Sequence, residues 1–160
     1  MKVLILFGSP NDQTVMKKAK DLLDQFDVHN KSYAISAHRA PELLEEVLHK
    51  KEEEGFEIII AGAGLAAHLP GVVASKTVLP VIGVPLNGAL EGLDALLSIV
   101  QMPKEIPVAT VGINNSFNAA MLAVEILSIK YPELKEKLKA YRETMKETIR
   151  KNNTLEVMYS

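Results

Sequence analysis

The sequence predicts an α/β fold: a parallel five-stranded sheet between two layers of helices, with an extra helix at the C-terminal end. Three observations carry the prediction. Five short apolar runs alternate with stretches of helical periodicity, the pattern that a parallel sheet with crossover helices requires. The runs around residues 3–7, 56–61 and 81–84 are almost wholly apolar, as strands covered on both faces must be. The length of 160 residues suits a single domain, which can bury roughly 70% of its unfolded surface without disulfide or metal staples.

Residues 3–7 form the first strand and run into Gly8-Ser9-Pro10-Asn11-Asp12, a turn cluster. Val15, Met16, Ala19, Leu22, Leu23 and Phe26 then recur at helical spacing, with Asp12 as the candidate N-cap. The second strand falls within residues 28–35, where Tyr33 and Ile35 alternate with Ser32 and Ala34. Pro41 can open the next helix, because the N–H it lacks is not needed at the first helical position. Leu43, Leu44, Val47 and Leu48 form its inner face, Glu52 to Glu54 are solvated, and Gly55 ends it. The third strand centres on Ile58-Ile59-Ile60, and a Gly/Ala-rich stretch leads to a short helix over 72–77. Pro80 stands at the start of the fourth strand, where no ladder donor is lost. A helix over 90–101, a fifth strand over 107–113 and a helix over 117–129 follow. After Tyr131-Pro132, a last helix covers about 133–151. The strand order expected of such a chain is 2-1-3-4-5, the flavodoxin-like three-layer arrangement.

Composition removes several function classes. Cysteine is absent, so there is no disulfide, thiolate metal site or cysteine nucleophile. A net charge of −2 with both signs interspersed offers no basic footprint for nucleic acid. No apolar run approaches the roughly 20 residues of a membrane helix, and the N-terminal run is too short for a signal peptide. A soluble, cytoplasmic protein is the expectation.

In an open parallel sheet, ligands bind beyond the carboxyl ends of the strands, where the strand order reverses. The loops leaving the first three strands meet there. They contain Gly8 to Asp12, Ser36-Ala37-His38-Arg39-Ala40-Pro41, and residues 62–71. Gly8 and Ser9 can offer backbone N–H groups and a hydroxyl to an anion. Arg39 can fork two hydrogen bonds to a phosphate, and Ser36 adds a hydroxyl. Asp12 can accept from sugar hydroxyls as readily as it can cap a helix. His38 is of the one side-chain type whose ordinary pKa, about 6.5, lets it give and take a proton near neutrality. The Ala/Gly loop allows a flat ligand close to the backbone. A phosphorylated sugar bearing a small base fits these groups.

Gly62-Ala63-Gly64-Leu65-Ala66-Ala67 also matches a dinucleotide fingerprint. It follows the third strand rather than the first, and no acidic residue ends the next strand, so that reading fails. His49 reads as solvated and His29 as part of a helix-to-strand connection. His68 can stand behind the site or cap the helix after it. The four histidines show no metal-ligand spacing.

At these loops the sequence resembles the 5-(carboxyamino)imidazole ribonucleotide mutase family of de novo purine synthesis and its sibling, aminoimidazole ribonucleotide carboxylase. The resemblance covers nearly the whole chain. It rests on Gly8-Ser9-x-x-Asp12, on Ser36-Ala37-His38-Arg39-x-Pro41, and on residues 61–71 from Ala61-Gly62-Ala63-Gly64 through Ala66-Ala67-His68-Leu69-Pro70-Gly71. Pro80 to Pro85, Ser98 to Pro103 and Asn118-Ala119-Ala120 extend it. Asn11 stands where the family has a second serine, Leu65 where a glycine is common, and Lys104-Glu105 where a basic-or-glycine pair is usual.

The resemblance implies a carboxylate moved from an exocyclic nitrogen to ring carbon 4, by loss, capture and re-addition of carbon dioxide. It implies His38 as the general acid/base and Ser9, Asp12 and Arg39 as holders of the ribose phosphate. Gly8, Asn11, Ser36, Ala37, Ala63, Gly64 and Leu69 would complete the binding site. It implies no cofactor, no metal, and a homo-octamer in which the last helix packs on a neighbouring subunit. The Ala-Ala-His-Leu-Pro stretch resembles the mutase branch. The alternatives are the carboxylase that uses free carbon dioxide and, in a different class, a non-catalytic flavin-binding module.

Overall fold

The computed structural model describes residues 1–152. The end of the expected domain, residues 153–160, lies outside the described residues. Five parallel strands, β1 (Lys2–Phe7), β2 (His29–Ala34), β3 (Ile58–Gly64), β4 (Val81–Leu86) and β5 (Ala109–Thr110), form one sheet in the order β2-β1-β3-β4-β5. Six helices connect and follow them: α1 (Gln13–Gln25), α2 (Pro41–Glu53), α3 (His68–Ala74), α4 (Leu93–Val100), α5 (Ser116–Lys130) and α6 (Pro132–Asn152). This is the flavodoxin-like three-layer α/β/α sandwich that the alternation of strands and helices predicts.

The alternation of side chains along β1 builds both outer layers. Val3, Ile5 and Phe7 face α1 and α5, packing with Met16, Leu22, Leu23, Ala120 and Val124. Leu4 and Leu6 face the other way, onto Leu44 and Leu48 of α2, Leu69 and Val73 of α3, and Ile99 of α4. Each such side chain, once removed from water, contributes about 1.5–3 kcal/mol. Pro41 opens α2, and Gly55, at φ +78°, follows its end in the left-handed region that a helix C-terminus favours.

Four local expectations are corrected. The fifth strand is two residues long rather than seven: Pro107 has no N–H to donate, and only Ala109 and Thr110 pair with β4. The third helix begins at His68, not Val72, which places Pro70 in the first turn, where backbone N–H groups have no intrahelical partner. The expected fourth helix is shortened at its start, because Leu90 (φ +43°), Glu91 (φ +54°) and Gly92 (φ +85°) form a left-handed turn, and α4 begins only at Leu93. Asp12 precedes α1 but makes no side-chain cap to it, and its carboxylate is engaged elsewhere.

The first half of the last helix packs on its own chain. Leu134 and Leu138 are buried in the core shared by α1 and α5, and the ring of Tyr141 lies 5.3 Å from that of Phe26. Lys137 pairs with Asp27 (2.5 Å), and Arg142 pairs with Glu125. Only the distal half leaves large apolar side chains, Met145 and Ile149, half exposed.

Candidate active site

The carboxyl ends of β1, β2, β3 and β4 open onto a cleft of about 460 Å³. Gly8, Ser9, Asn11 and Asp12 come from the corner after β1, and Ser36, Ala37 and His38 from the corner after β2. The loop after β3 supplies Ala63, Gly64, His68 and Leu69. Every residue singled out for the site lines this cleft except Arg39. Arg39 is exposed next to His38, and its guanidinium has no hydrogen-bond or ion-pair partner among the described residues.

The first corner is held by its own polar groups. The Ser9 N–H donates to Asp12 Oδ2 (3.1 Å), the Asp12 N–H donates to the Ser9 carbonyl (3.0 Å), and the Asn11 N–H donates to Ser9 Oγ (3.3 Å). The Ser9 N–H is therefore occupied, so what Ser9 presents to a ligand is its hydroxyl proton, contrary to the expectation of a free backbone donor. Burial pushes the Asp12 carboxyl above the ordinary aspartate range, and the Ser9 N–H pulls partly the other way.

The second corner is a tight turn. The Ile35 N–H donates to the Phe7 carbonyl (2.8 Å) and carries the β1–β2 pairing one residue further. The Ser36 carbonyl then accepts from the N–H groups of Arg39 (3.2 Å) and Ala40 (3.0 Å). This turn sets His38 on the cleft rim, where its Nε2 lies 2.7 Å from Nδ1 of His68. The two rings meet edge to face, with centroids 4.9 Å apart. Such a contact needs one N–H and one lone pair, so the pair shares one proton across it. His68 is thus the direct partner of His38. The Ser36 hydroxyl has no partner among the described residues and is available to a ligand.

The loop after β3 is strained. Leu65 (φ +57°) and Ala67 (φ +43°) both sit in the left-handed region, which costs a residue bearing a side chain about 1–2 kcal/mol. A turn from the Gly64 carbonyl to the Ala67 N–H (3.0 Å) holds them there. Gly64 itself runs close to β4, and a Cβ on it would stand 3.2 Å from the Leu86 carbonyl oxygen. From β4 the cleft also receives Asn87 and Gly88. Sequence reasoning missed both, although the Asn-Gly pair after a buried strand was the signal available. Among the described residues, no cluster of three or more His, Asp or Glu could hold a metal ion.

With this geometry in view, comparison with known proteins is decisive. Residues 2–148 match the family described as AIR carboxylase. The chain belongs to the AIR carboxylase family. Among its relatives, the N5-carboxyaminoimidazole ribonucleotide mutase of Pyrococcus abyssi is 63% identical, over 91% of this chain and 84% of that protein. The protein of the same name from Thermotoga maritima is 54% identical, over 97% of this chain and 92% of its own. A crystal structure of Treponema denticola PurE superposes with a TM-score of 0.88 at 28% identity, covering 96% of each chain. The AIR carboxylase fold is therefore the one seen here, with the cleft at the switch point of its strand order.

Proposed function

We propose that the cleft carries out the N5-carboxyaminoimidazole ribonucleotide mutase reaction of purine synthesis, as an isomerase. The observation that carries this reading is the His38–His68 pair, set at the rim of a small cleft where an Ala, Gly and Leu wall from the loop after β3 faces the polar corner of Ser9, Asn11, Asp12 and Ser36, in a chain whose relatives bear that name. The reaction needs one group that gives a proton and later takes one back, and the other polar groups of the cleft are left for binding the ribonucleotide. The same chain is the single catalytic domain of this reading.

In the proposed course, the bond between the exocyclic nitrogen and the carboxylate carbon breaks. Its electron pair returns to nitrogen, which takes a proton from His38, and carbon dioxide is released into the cleft. Ring carbon 4 then attacks the carbon of carbon dioxide, and the hydrogen on carbon 4 leaves as a proton to His38. One proton is given and one recovered, so a single imidazole suffices. His68, bonded to His38 Nε2, orients the ring and holds its tautomer. The Ser9 and Ser36 hydroxyls and Arg39 bind the 5-phosphate, and Asp12 accepts from the ribose hydroxyls. Asn11 offers a side-chain amide at the same corner. Ala37, Ala63, Gly64 and Leu69 pack against the base.

The reading extends to a cytoplasmic homo-octamer. The exposed apolar side chains that group on a helix face and could serve such an assembly include Leu93, Leu97 and Val100 on α4 and Met145 and Ile149 on distal α6.

His38→Asn keeps the size and one hydrogen bond of the ring but cannot cycle a proton at neutral pH. It is expected to abolish formation of the carbon-4 carboxylate at saturating substrate while leaving ribonucleotide binding, measured by calorimetry, largely intact. Turnover within a few-fold of the parent would reduce His38 to a positioning group.

A further inference from the structure

Leu65 combines two unfavourable features. It holds a left-handed backbone (φ +57°) that a glycine would adopt freely, and it leaves a large apolar side chain 59% exposed. Two residues on, the same backbone demand is met by Ala67, which is small and buried. The Leu65 side chain is not idle. A Cβ built on Gly88 would lie 3.3 Å from Leu65 Cδ2 and 3.7 Å from its Cγ, so the isobutyl group rests on Gly88. Gly88 stands in a braced loop: the Asn87 N–H donates to Asn114 Oδ1 (2.9 Å), and the Asn114 N–H donates to the Pro85 carbonyl (2.8 Å). Leu65 and Gly88 both line the cleft. The side chain is therefore an apolar bridge between the loop after β3 and the loop after β4, built at the site where strain is tolerated.

Carbon dioxide has no charge and offers little to a polar group, so retaining it depends on walls rather than on hydrogen bonds. From this bridge we infer that Leu65, at a position where the family commonly has a glycine, adds an apolar wall that helps to keep carbon dioxide in the cleft and water out, and so raises how often the released molecule is captured rather than lost. The inference rests on the reaction proposed above. Loss of carbon dioxide leaves the aminoimidazole ribonucleotide, protonated on nitrogen by His38, as the escaping product. The lost molecule hydrates to bicarbonate in the medium.

The test uses the carbamate substrate carrying ¹³C in its carboxylate, with unlabelled bicarbonate in the medium. The parent, Leu65→Gly, Leu65→Ala and Leu65→Met are compared. Two ratios are read: free aminoimidazole ribonucleotide to carbon-4 carboxylate, and ¹³C to ¹²C in that carboxylate. The Gly and Ala variants should both release several-fold more aminoimidazole and dilute the label, while Met, which restores an apolar bridge, should retain label like the parent. A merely structural role would change the overall rate and leave both ratios alone. Leu65→Gly relieves the backbone and is expected to melt no lower than the parent, so it carries the test even if the Ala variant does not fold. Unchanged ratios in the Gly variant overturn the inference, as does leakage in Gly but not in a folded Ala variant, which would assign the effect to the backbone. A parent that forms no carbon-4 carboxylate at all would instead fail the reaction reading, and the inference with it.

Discussion

At the scale of single residues, the cleft trades stability for binding at Asp12. Its folded-state pKa lies above the unfolded one because burial disfavours the carboxylate. Ionising it therefore costs the fold nothing below the ordinary aspartate range, an increasing amount as pH rises through the raised value, and a constant amount above it. Asp12→Asn can still accept from the Ser9 N–H and carries no such cost. The variant should melt higher than the parent at neutral pH, the difference should vanish in acid, and substrate binding should weaken. A variant less stable than the parent at pH 7, in thermal melts across pH, would contradict this. Arg39→Ala should raise KM roughly 10–100-fold, the loss of one charge-assisted anchor, with a smaller change in kcat. A collapsed kcat at unchanged KM would put Arg39 in the chemistry. His38, Ser9 and Asp12 were legible because their residue types and their places after strands both pointed to one cleft. The partnership of His38 with His68 was not, because a contact across thirty residues depends on where α3 begins, and Pro70 disguised that start.

At the scale of elements, the strands that are apolar throughout, β1, β3 and β4, could be read directly, since burial on both faces leaves one pattern. The edges could not. β5 holds only two ladder residues, and the break at Leu90–Gly92 arises from three consecutive left-handed residues, two of which, Leu90 and Glu91, are of types that ordinarily favour a helix. The join between β3 and the α5–α6 corner makes a further prediction. Glu57 accepts from Lys130 Nζ (2.7 Å) and from the Tyr131 hydroxyl (2.9 Å), and lies 3.5 Å from the N-terminal amine. Burial pushes its carboxyl up, but these donors overcome that and hold it below the ordinary glutamate range. Its contribution is present above the unfolded pKa and lost as pH falls through the folded one. Glu57→Gln should therefore cost about 1–2 kcal/mol at pH 7, allowing for partial exposure, with the gap to the parent closing in acid. Denaturant titrations at both pH values check it, and a gap that widens in acid would refute the assignment.

At the scale of the whole molecule, α6 belongs first to its own chain. Truncation after Tyr131 would strip Leu134 and Leu138 from the core, and losses of that kind cost about 2–5 kcal/mol each. Such a truncation tests stability more than assembly. The proposed octamer is better tested by Leu93→Glu with Leu97→Glu, which changes only exposed side chains of α4. Light scattering should then show a smaller particle with an unchanged far-ultraviolet spectrum, and an unchanged large particle would remove α4 from the interface. The central claim concerns the reaction itself. The direct measurement offers the purified parent the carbamate nucleotide in one vessel and the aminoimidazole nucleotide with bicarbonate in another, and follows the carbon-4 carboxylate. The account predicts rapid formation from the carbamate and slow formation from the second mixture. Efficient turnover of the aminoimidazole nucleotide with bicarbonate, with the carbamate inert, would contradict it.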